Sequence, residues 1–322
     1  MPTATRATFT RDTPLFIVFN AGSGSGDKQQ MQANIEREFG NAKRQCQLFR
    51  VERPEHIAEC ARRAVDGAVK HQGAVIVAGG DGTINAVATL TLPTGRPFGL
   101  LPQGTFNYSC RAHSIPLNTV AAAQALLDAR IKPIQVGKVN ERLFLVNASL
   151  GLYPQLLEDR ERYTKRYGRT RAVAFVAGLL TLVRYRHQLL LEIEHDGQRE
   201  LIRTPTVFVG NNPLQLDQVG LPEVEDVQHR RLAAVIVRPV SGAAMLWLAL
   251  RGALGQLEDA KNARDFPFSS MTVSSTGRRT QPLLKVATDG EICWLKPPLR
   301  FSVAEQKLML IVPATAPDKV SS

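Results

Sequence analysis

Aromatic residues are scarce, at 6% of 322 residues, too few for a surface that stacks successive bases of a single strand. Cysteine pairs are missing. Cys46, Cys60, Cys110 and Cys293 stand far apart with no CxxC spacing, which argues against a zinc knuckle or a redox pair and fits reduced thiols in a cytoplasmic protein. Long apolar runs are missing too. The longest, Ala172 to Val183, is closed by Arg171 and Arg184. As a helix it would rise roughly 18 Å, against about 30 Å of hydrocarbon in a bilayer. Leu15 to Phe19 is too short for the core of a signal peptide. Acidic residues are outnumbered, 29 Asp+Glu to 40 Lys+Arg, leaving a formal charge of +11. Such an excess points to phosphate-bearing partners: a nucleotide, a nucleic acid or an anionic membrane. With 44% hydrophobic and 21% charged residues the rest is ordinary globular composition. Its length, at about 150 residues per domain, favours two domains.

The order of elements begins with Leu15-Phe16-Ile17-Val18-Phe19, an unbroken apolar run expected of a strand buried on both faces. A flexible loop, Asn20 to Gly26, leads to a helix opened by Asp27 as N-cap. Cys46 to Val51 reads as a second strand and Pro54 to Lys70 as a helix with Ile57, Ala61, Ala64 and Ala68 on one face. Ala74 to Ala78 reads as a third strand, followed by a glycine loop and a short helix from Ile84 to about Thr91. Phe98 to Leu101 is a fourth strand. This alternation predicts right-handed βαβ crossovers and a mostly parallel sheet. Near residue 133 the rhythm changes. Ile134–Val139 and Leu143–Ala148 read as a hairpin, residues 151–187 as basic helix, and Leu189–His195 with Glu200–Val209 as a second hairpin around Asp196-Gly197. Leu232–Val237, Ser269–Ser274, Pro282–Thr288 and Arg300–Val303 read as strands, and Gly242 to about Asp259 as a helix. The second half is therefore mainly antiparallel β.

Three glycine-bearing loops leave the carboxyl ends of first-half strands, the edge at which open α/β sheets bind ligands. Glycine lets the backbone approach an anion closely, and a helix N-terminus adds favourable partial charge. The first loop lacks a Walker ending, and Gly22, Gly24 and Gly26 miss the GxGxxG spacing; taken alone it reads as a mobile turn. A buried strand that delivers Gly79-Gly80-Asp81-Gly82-Thr83 into a helix is far more specific.

That segment, followed by Asn85, resembles the signature of the diacylglycerol kinase catalytic-domain family, whose members include bacterial lipid kinases and sphingosine and ceramide kinases. Asn20-Ala21-Gly22-Ser23-Gly24 resembles the family's Asn-Pro-x-Ser-Gly loop. Pro102-Gln103-Gly104-Thr105-Phe106-Asn107 and Arg111 resemble its Pro-x-Gly-Thr-x-Asn…Arg segment. Gly210-Asn211-Asn212 and Asp289-Gly290-Glu291 resemble two later motifs. The resemblance covers roughly residues 14–313. It implies an N-terminal, mostly parallel α/β nucleotide-binding domain over 1–132, joined by the C-terminal segment from about 301 to 322. A β-rich, sandwich-like lipid domain over 133–300 completes it, with the active site in the cleft between.

The resemblance also implies an ATP-dependent lipid kinase acting on a hydroxyl of diacylglycerol or a similar lipid, with Mg2+. Asn20, Gly22, Ser23, Gly24, Gly79, Gly80, Asp81, Gly82, Thr83, Thr105 and Asn107 would form the nucleotide site. Asp289 would be the general base. Glu291 would share its strand face and, with Asp81, hold the metal. Read alone, Asp289-Gly290-Glu291 is a hairpin turn between Val286 and Ile292. Much of the family carries an acid where Tyr108 stands and another at Gln135; without them an auxiliary magnesium site is not expected.

Arg160 to Arg171 holds six basic residues against Glu161. It reads either as a solvated helix or as a dock for anionic lipid headgroups, with Arg111, Arg166, Arg169 and Arg171 as contacts. The helix bearing Met245, Trp247 and Leu250 reads as core of the second domain or as a lipid-dipping face. The expected partners are a lipid substrate and the inner face of a membrane, bound peripherally from the cytoplasm. No nucleic acid is expected, and a homodimer is allowed. The competing readings are a kinase for a soluble alcohol or for NAD, and a non-catalytic nucleotide or lipid sensor.

Overall fold

The computed structural model describes residues 8–23, 27–104, 107–167, 188–195, 197–211, 231–237, 263–276 and 282–314. Two compact units emerge: Met1–Val136 with Glu305–Ser322, and Gly137–Ala304.

Elements are numbered in chain order. The first unit contains β1 (Leu15–Asn20), α1 (Lys28–Asn41), β2 (Cys46–Val51), α2 (Ile57–Lys70) and β3 (Ala74–Gly79). It continues through α3 (Asp81–Thr91), β4 (Phe98–Pro102), α4 (Tyr108–Ala112), α5 (Thr119–Leu127) and β5 (Ala129–Ile134), and ends with β18 (Leu308–Pro313). One sheet runs β2-β1-β3-β4-β18-β5. The first five strands are parallel neighbours, and only β5 runs antiparallel, against β18. β1 and β3 are buried on both faces, as continuous apolar runs in a covered parallel sheet require. Asp27 caps α1 by accepting from the N–H groups of Gln29 and Gln30. The strand order reverses direction between β1 and β3, so the loops after these two strands flank the switch point where such sheets bind ligands.

The second unit holds β6 (Gly137–Val139), β7 (Arg142–Phe144), β8 (Asn147–Gly151), α6 (Leu152–Tyr167), β9 (Leu189–His195) and β10 (Gln198–Thr204). Then follow β11 (Thr206–Gly210), β12 (Leu232–Val237), β13 (Ala263–Phe268), β14 (Ser270–Ser275), β15 (Leu284–Thr288), β16 (Glu291–Leu295) and β17 (Leu299–Val303). They form two six-stranded sheets, β10-β9-β14-β17-β6-β7 and β13-β12-β11-β8-β15-β16. One apolar core joins them: Leu191, Ile193, Met271 and Phe301 from the first sheet meet Leu150, Val207, Ile236 and Val286 from the second. The unit is a β-sandwich. On the outer face of the second sheet, Tyr153 of α6 packs edge-on against Phe208 and Lys285 pairs with Glu158.

Three expectations need correction. The helix after the glycine loop begins at Asp81, inside the motif, not at Ile84. The first hairpin is confined to β6 and β7; Ile134 closes β5 in the first unit and β8 belongs to the other sheet. Likewise only β9 and β10 form the second hairpin, because β11 crosses to the opposite sheet. The pleat fixes which face a side chain takes, not which sheet its strand joins. The sequence pattern does not mark α4, α5, β13, β16 or β18. Residues 168–187 and the segment 242–259 lie outside the described residues.

Candidate functional site

The three glycine loops meet at the switch point. Gly80 is the N-cap of α3, whose first turn presents N–H groups that no helical carbonyl can take. Gly104 abuts it so closely that a Cβ on Gly104 would lie 2.9 Å from the Gly80 Cα and 2.9 Å from Asn107 Oδ1. Backbone touches backbone there, and only glycine allows it. A Cβ on Gly80 would in turn lie 3.2 Å from Ser23 Oγ, so the first loop closes the third side.

Side chains lock the loops. Asn20 Nδ2 donates to Thr83 Oγ1 at 2.7 Å, while Asn20 Oδ1 accepts from Gly22 N–H at 2.9 Å. Asn107, in the left-handed region at φ 50°, accepts from Gly104 N–H and donates to Gly104 O, both at 2.9 Å. In this structure Asn20 and Asn107 hold the cradle's shape. Gln103 N–H donates to Gly79 O at 3.0 Å, tying the ends of β3 and β4. Asp81 Oδ1 accepts from Ser109 N–H at 3.3 Å. Burial, followed by the Asp81 charge, pushes the Cys110 thiol up to about 12. Tyr108 begins α4 and Gln135 follows β5. Gly24 and Thr105 lie outside the described residues.

Lys28 escaped the sequence reading. Its ammonium donates to the carbonyl of Ser23, and partial burial lowers its pKa. The signal was a lone cation two residues past a glycine loop, at the start of α1, where it could be taken for an ordinary surface lysine.

A second polar cluster lies in the β-sandwich. Asp289 and Gly290, at φ 50° and 85°, form the tight turn between β15 and β16 that favours an Asp-Gly pair. The Asp289 side chain is 2% exposed. Its Oδ2 accepts from Leu145 N–H at 2.7 Å, and its Oδ1 from Val146 N–H at 2.8 Å and Asn147 N–H at 3.0 Å. Asp289 N–H returns a bond to Asn147 O at 2.8 Å. Asn211 completes the knot, donating from Nδ2 to Leu145 O at 2.9 Å. Two distant segments thus converge on the start of β8. Asn147 Oδ1 is buried here without a hydrogen-bond partner among the described residues, a feature no sequence pattern announces. Glu291 is exposed and opens β16, whereas Asp289 is buried in the turn before it, so the two do not share one strand face.

Among the described residues no three His, Cys, Asp or Glu side chains cluster as a metal site. Magnesium prefers several carboxylate or phosphate oxygens. One Asp81 carboxylate suits a metal delivered with nucleotide phosphates better than one held by protein alone. Arg111 is exposed near the end of α4 and Arg166 lies on α6; Arg169, Arg171 and Asn212 lie outside the described residues. No helix among the described residues is long and apolar enough to cross a membrane.

Residues 14–139 match the diacylglycerol kinase catalytic domain. The chain is 47% identical over 95 residues to the "Probable lipid kinase YegS-like" of Pseudomonas aeruginosa, covering 28% of this chain and 31% of that protein. It is 31% identical over 150 residues to a diacylglycerol kinase of Bacillus subtilis, covering 44% and 47%. The match thus spans about a third to a half of these relatives' length. A crystal structure of a diacylglycerol kinase from Bacillus anthracis str. Sterne superposes with a TM-score of 0.70 at 18% identity, over 96% of this chain and 100% of that one. It shares the fold. Residues 14–139, which include all three glycine loops, are thus similar to the diacylglycerol kinase catalytic domain.

Proposed function

We propose that this protein is an ATP-dependent lipid kinase that transfers the γ-phosphate to a hydroxyl of diacylglycerol or a similar lipid. The observation that carries the reading is the backbone contact of Gly104 on Gly80 at the head of α3. It builds a main-chain cradle at the sheet's switch point, within the matched catalytic domain. Phosphoryl transfer asks mainly for in-line positioning and charge neutralisation, and main-chain donors at a helix N-terminus suit the second of these. Gly80, Gly82 and Thr83 bring N–H groups and helix polarity to the phosphates. Lys28, beside the first loop, adds a cation. Asp81 would hold a magnesium that arrives with ATP, where the ion neutralises phosphate charge.

The resemblance assigns the acceptor proton to Asp289. Three main-chain donors fix that carboxylate in one orientation, which suits a group that takes a proton late in the transfer. The exposed Glu291 stands two residues on. The basic stretch Arg160–Arg171, which begins on α6, would draw the protein onto anionic lipid from the cytoplasm.

A second reading, a nucleotide or lipid sensor without catalysis, draws support from Tyr108 and Gln135, which replace family acids. ATP consumption separates the two. We expect consumption to rise when mixed vesicles of diacylglycerol and anionic phospholipid are added, and not with glycerol or NAD. ATP that binds and is never consumed, across a panel of lipids, would establish the sensor instead. Consumption driven by glycerol or NAD would move the substrate out of the lipid class.

A further inference from the structure

Gln103 sits between two residues with fixed tasks. The carbonyl of Pro102 accepts from Thr119 Oγ1 at 2.6 Å, and Gly104 packs on Gly80. Gln103 itself is 6% exposed. Its Oε1 and Nε2 are both shut off from solvent, and neither has a hydrogen-bond partner among the described residues. A buried amide atom left unsatisfied costs about 1–3 kcal/mol, and an apolar side chain of similar size would avoid that cost. Native folds satisfy nearly all such groups. An amide with both ends unsatisfied, one residue from the glycine contact of a nucleotide cradle, is therefore informative.

We propose that Gln103 recognises the nucleoside part of the bound nucleotide, its Nε2 donating to and its Oε1 accepting from one ligand edge as nucleotide entry parts the loops. The chemistry of the amide favours nucleoside over phosphate. A phosphate only accepts, so it would satisfy Nε2 and leave Oε1 bare. A ribose diol or the amino edge of a base offers donor and acceptor together. Strand order supports the placement, because Gln103 extends β4, next to β3 and one strand from the switch point. The inference rests on the nucleotide-binding reading above and adds to it a residue that reads the ligand's identity.

The test uses the full-length protein and two ligands, ATP and inorganic tripolyphosphate, titrated by calorimetry alongside thermal melting without ligand. Gln103→Met and Gln103→Leu keep bulk and remove the amide. We expect both variants to melt no lower than wild type, to bind ATP about tenfold or more weakly, and to bind tripolyphosphate within twofold of wild type. ATP affinity within twofold of wild type would overturn the proposal. So would an equal loss of ATP and tripolyphosphate, which would mark a deformed cradle. A melting temperature lowered by several degrees in both variants would also overturn it, since the amide would then have a partner in the free protein. Wild-type protein that binds tripolyphosphate but not ATP would refute Gln103 as a nucleoside reader, whereas wild-type protein that binds neither would refute the nucleotide-binding reading itself.

Discussion

Replacing Asp289 by Asn changes charge and hydrogen-bonding sense while leaving the backbone at ease, because Asn tolerates the left-handed conformation that Asp289 adopts at φ 50°. The consequence falls on the three donors. If the Asn oxygen stays with Val146 and Asn147, its NH2 group faces the Leu145 N–H, which now sits 2.7 Å from an acceptor. Donor meets donor, and one buried N–H is left unsatisfied at about 1–3 kcal/mol. The two surviving bonds fall from charge-assisted to neutral strength, a further loss of about 1 kcal/mol each. A total of about 3–5 kcal/mol is expected. At 2–4 °C per kcal/mol for a unit of this size, the melting temperature should drop by roughly 10 °C. Circular dichroism melts of both proteins measure it, with urea unfolding as a check. A variant that melts within 2 °C of wild type would refute the clamp. If that same variant bound ATP normally and transferred no phosphate, Asp289 would have a chemical role alone.

Other perturbations test other parts of the account. Gly104→Ala places a methyl 2.9 Å from the Gly80 Cα, so the loops must separate, and ATP affinity should fall at least tenfold, a change of about 1.4 kcal/mol; unchanged affinity in a folded variant would remove the glycine contact from the site. His113 is held down to about 4, from an ordinary 6.5, first by burial and then by the Lys132 charge. The unfolded chain takes up its proton first as pH falls, so stability is present above about pH 6.5 and is lost on the way down to 4, by about 3 kcal/mol in all. His113→Gln should flatten the melting temperature over that range, and an equally steep profile would assign the loss to other groups. Neutralising Arg166, Arg169 and Arg171 should weaken binding to anionic vesicles by about 1 kcal/mol per charge; equal wild-type binding to neutral and anionic vesicles in a flotation assay would leave the solvated-helix reading.

Much of the first unit was legible because its chemistry is local. A strand buried on both faces must be apolar throughout, and β1 and β3 are. Asp27 announces a helix start by its side chain. The cradle could be read because glycine appears wherever backbone must touch backbone. The start of α3 was misplaced because Asp81-Gly82 looks like loop, although a helix's first turn tolerates both residues. Two strands were masked by proline: Pro133 in β5 and Pro267 in β13. Each of these strands pairs on one side only, so proline's missing donor costs little there. The crossing of β8 and β11 between sheets leaves no trace in an alternating pattern. At the sites, sequence named Asp289 but not the three donors that hold it, since those come from main chain 142 to 144 residues away. The Gln103 amide and Asn147 Oδ1 stand out only once the described neighbours are seen to offer those atoms no partner.

The central claim is that phosphate moves from ATP to a lipid hydroxyl, and the product shows it directly. Full-length protein would be incubated with ATP, magnesium and mixed vesicles of diacylglycerol and anionic phospholipid, the lipids extracted, and phosphorus NMR recorded on the organic phase. The account predicts a new phosphate monoester signal that grows with time, matched mole for mole by ADP in the aqueous phase, and absent when ATP is replaced by a non-hydrolysable analogue. ADP accompanied only by inorganic phosphate, or an organic phase unchanged across a panel of hydroxyl-bearing lipids, would contradict it.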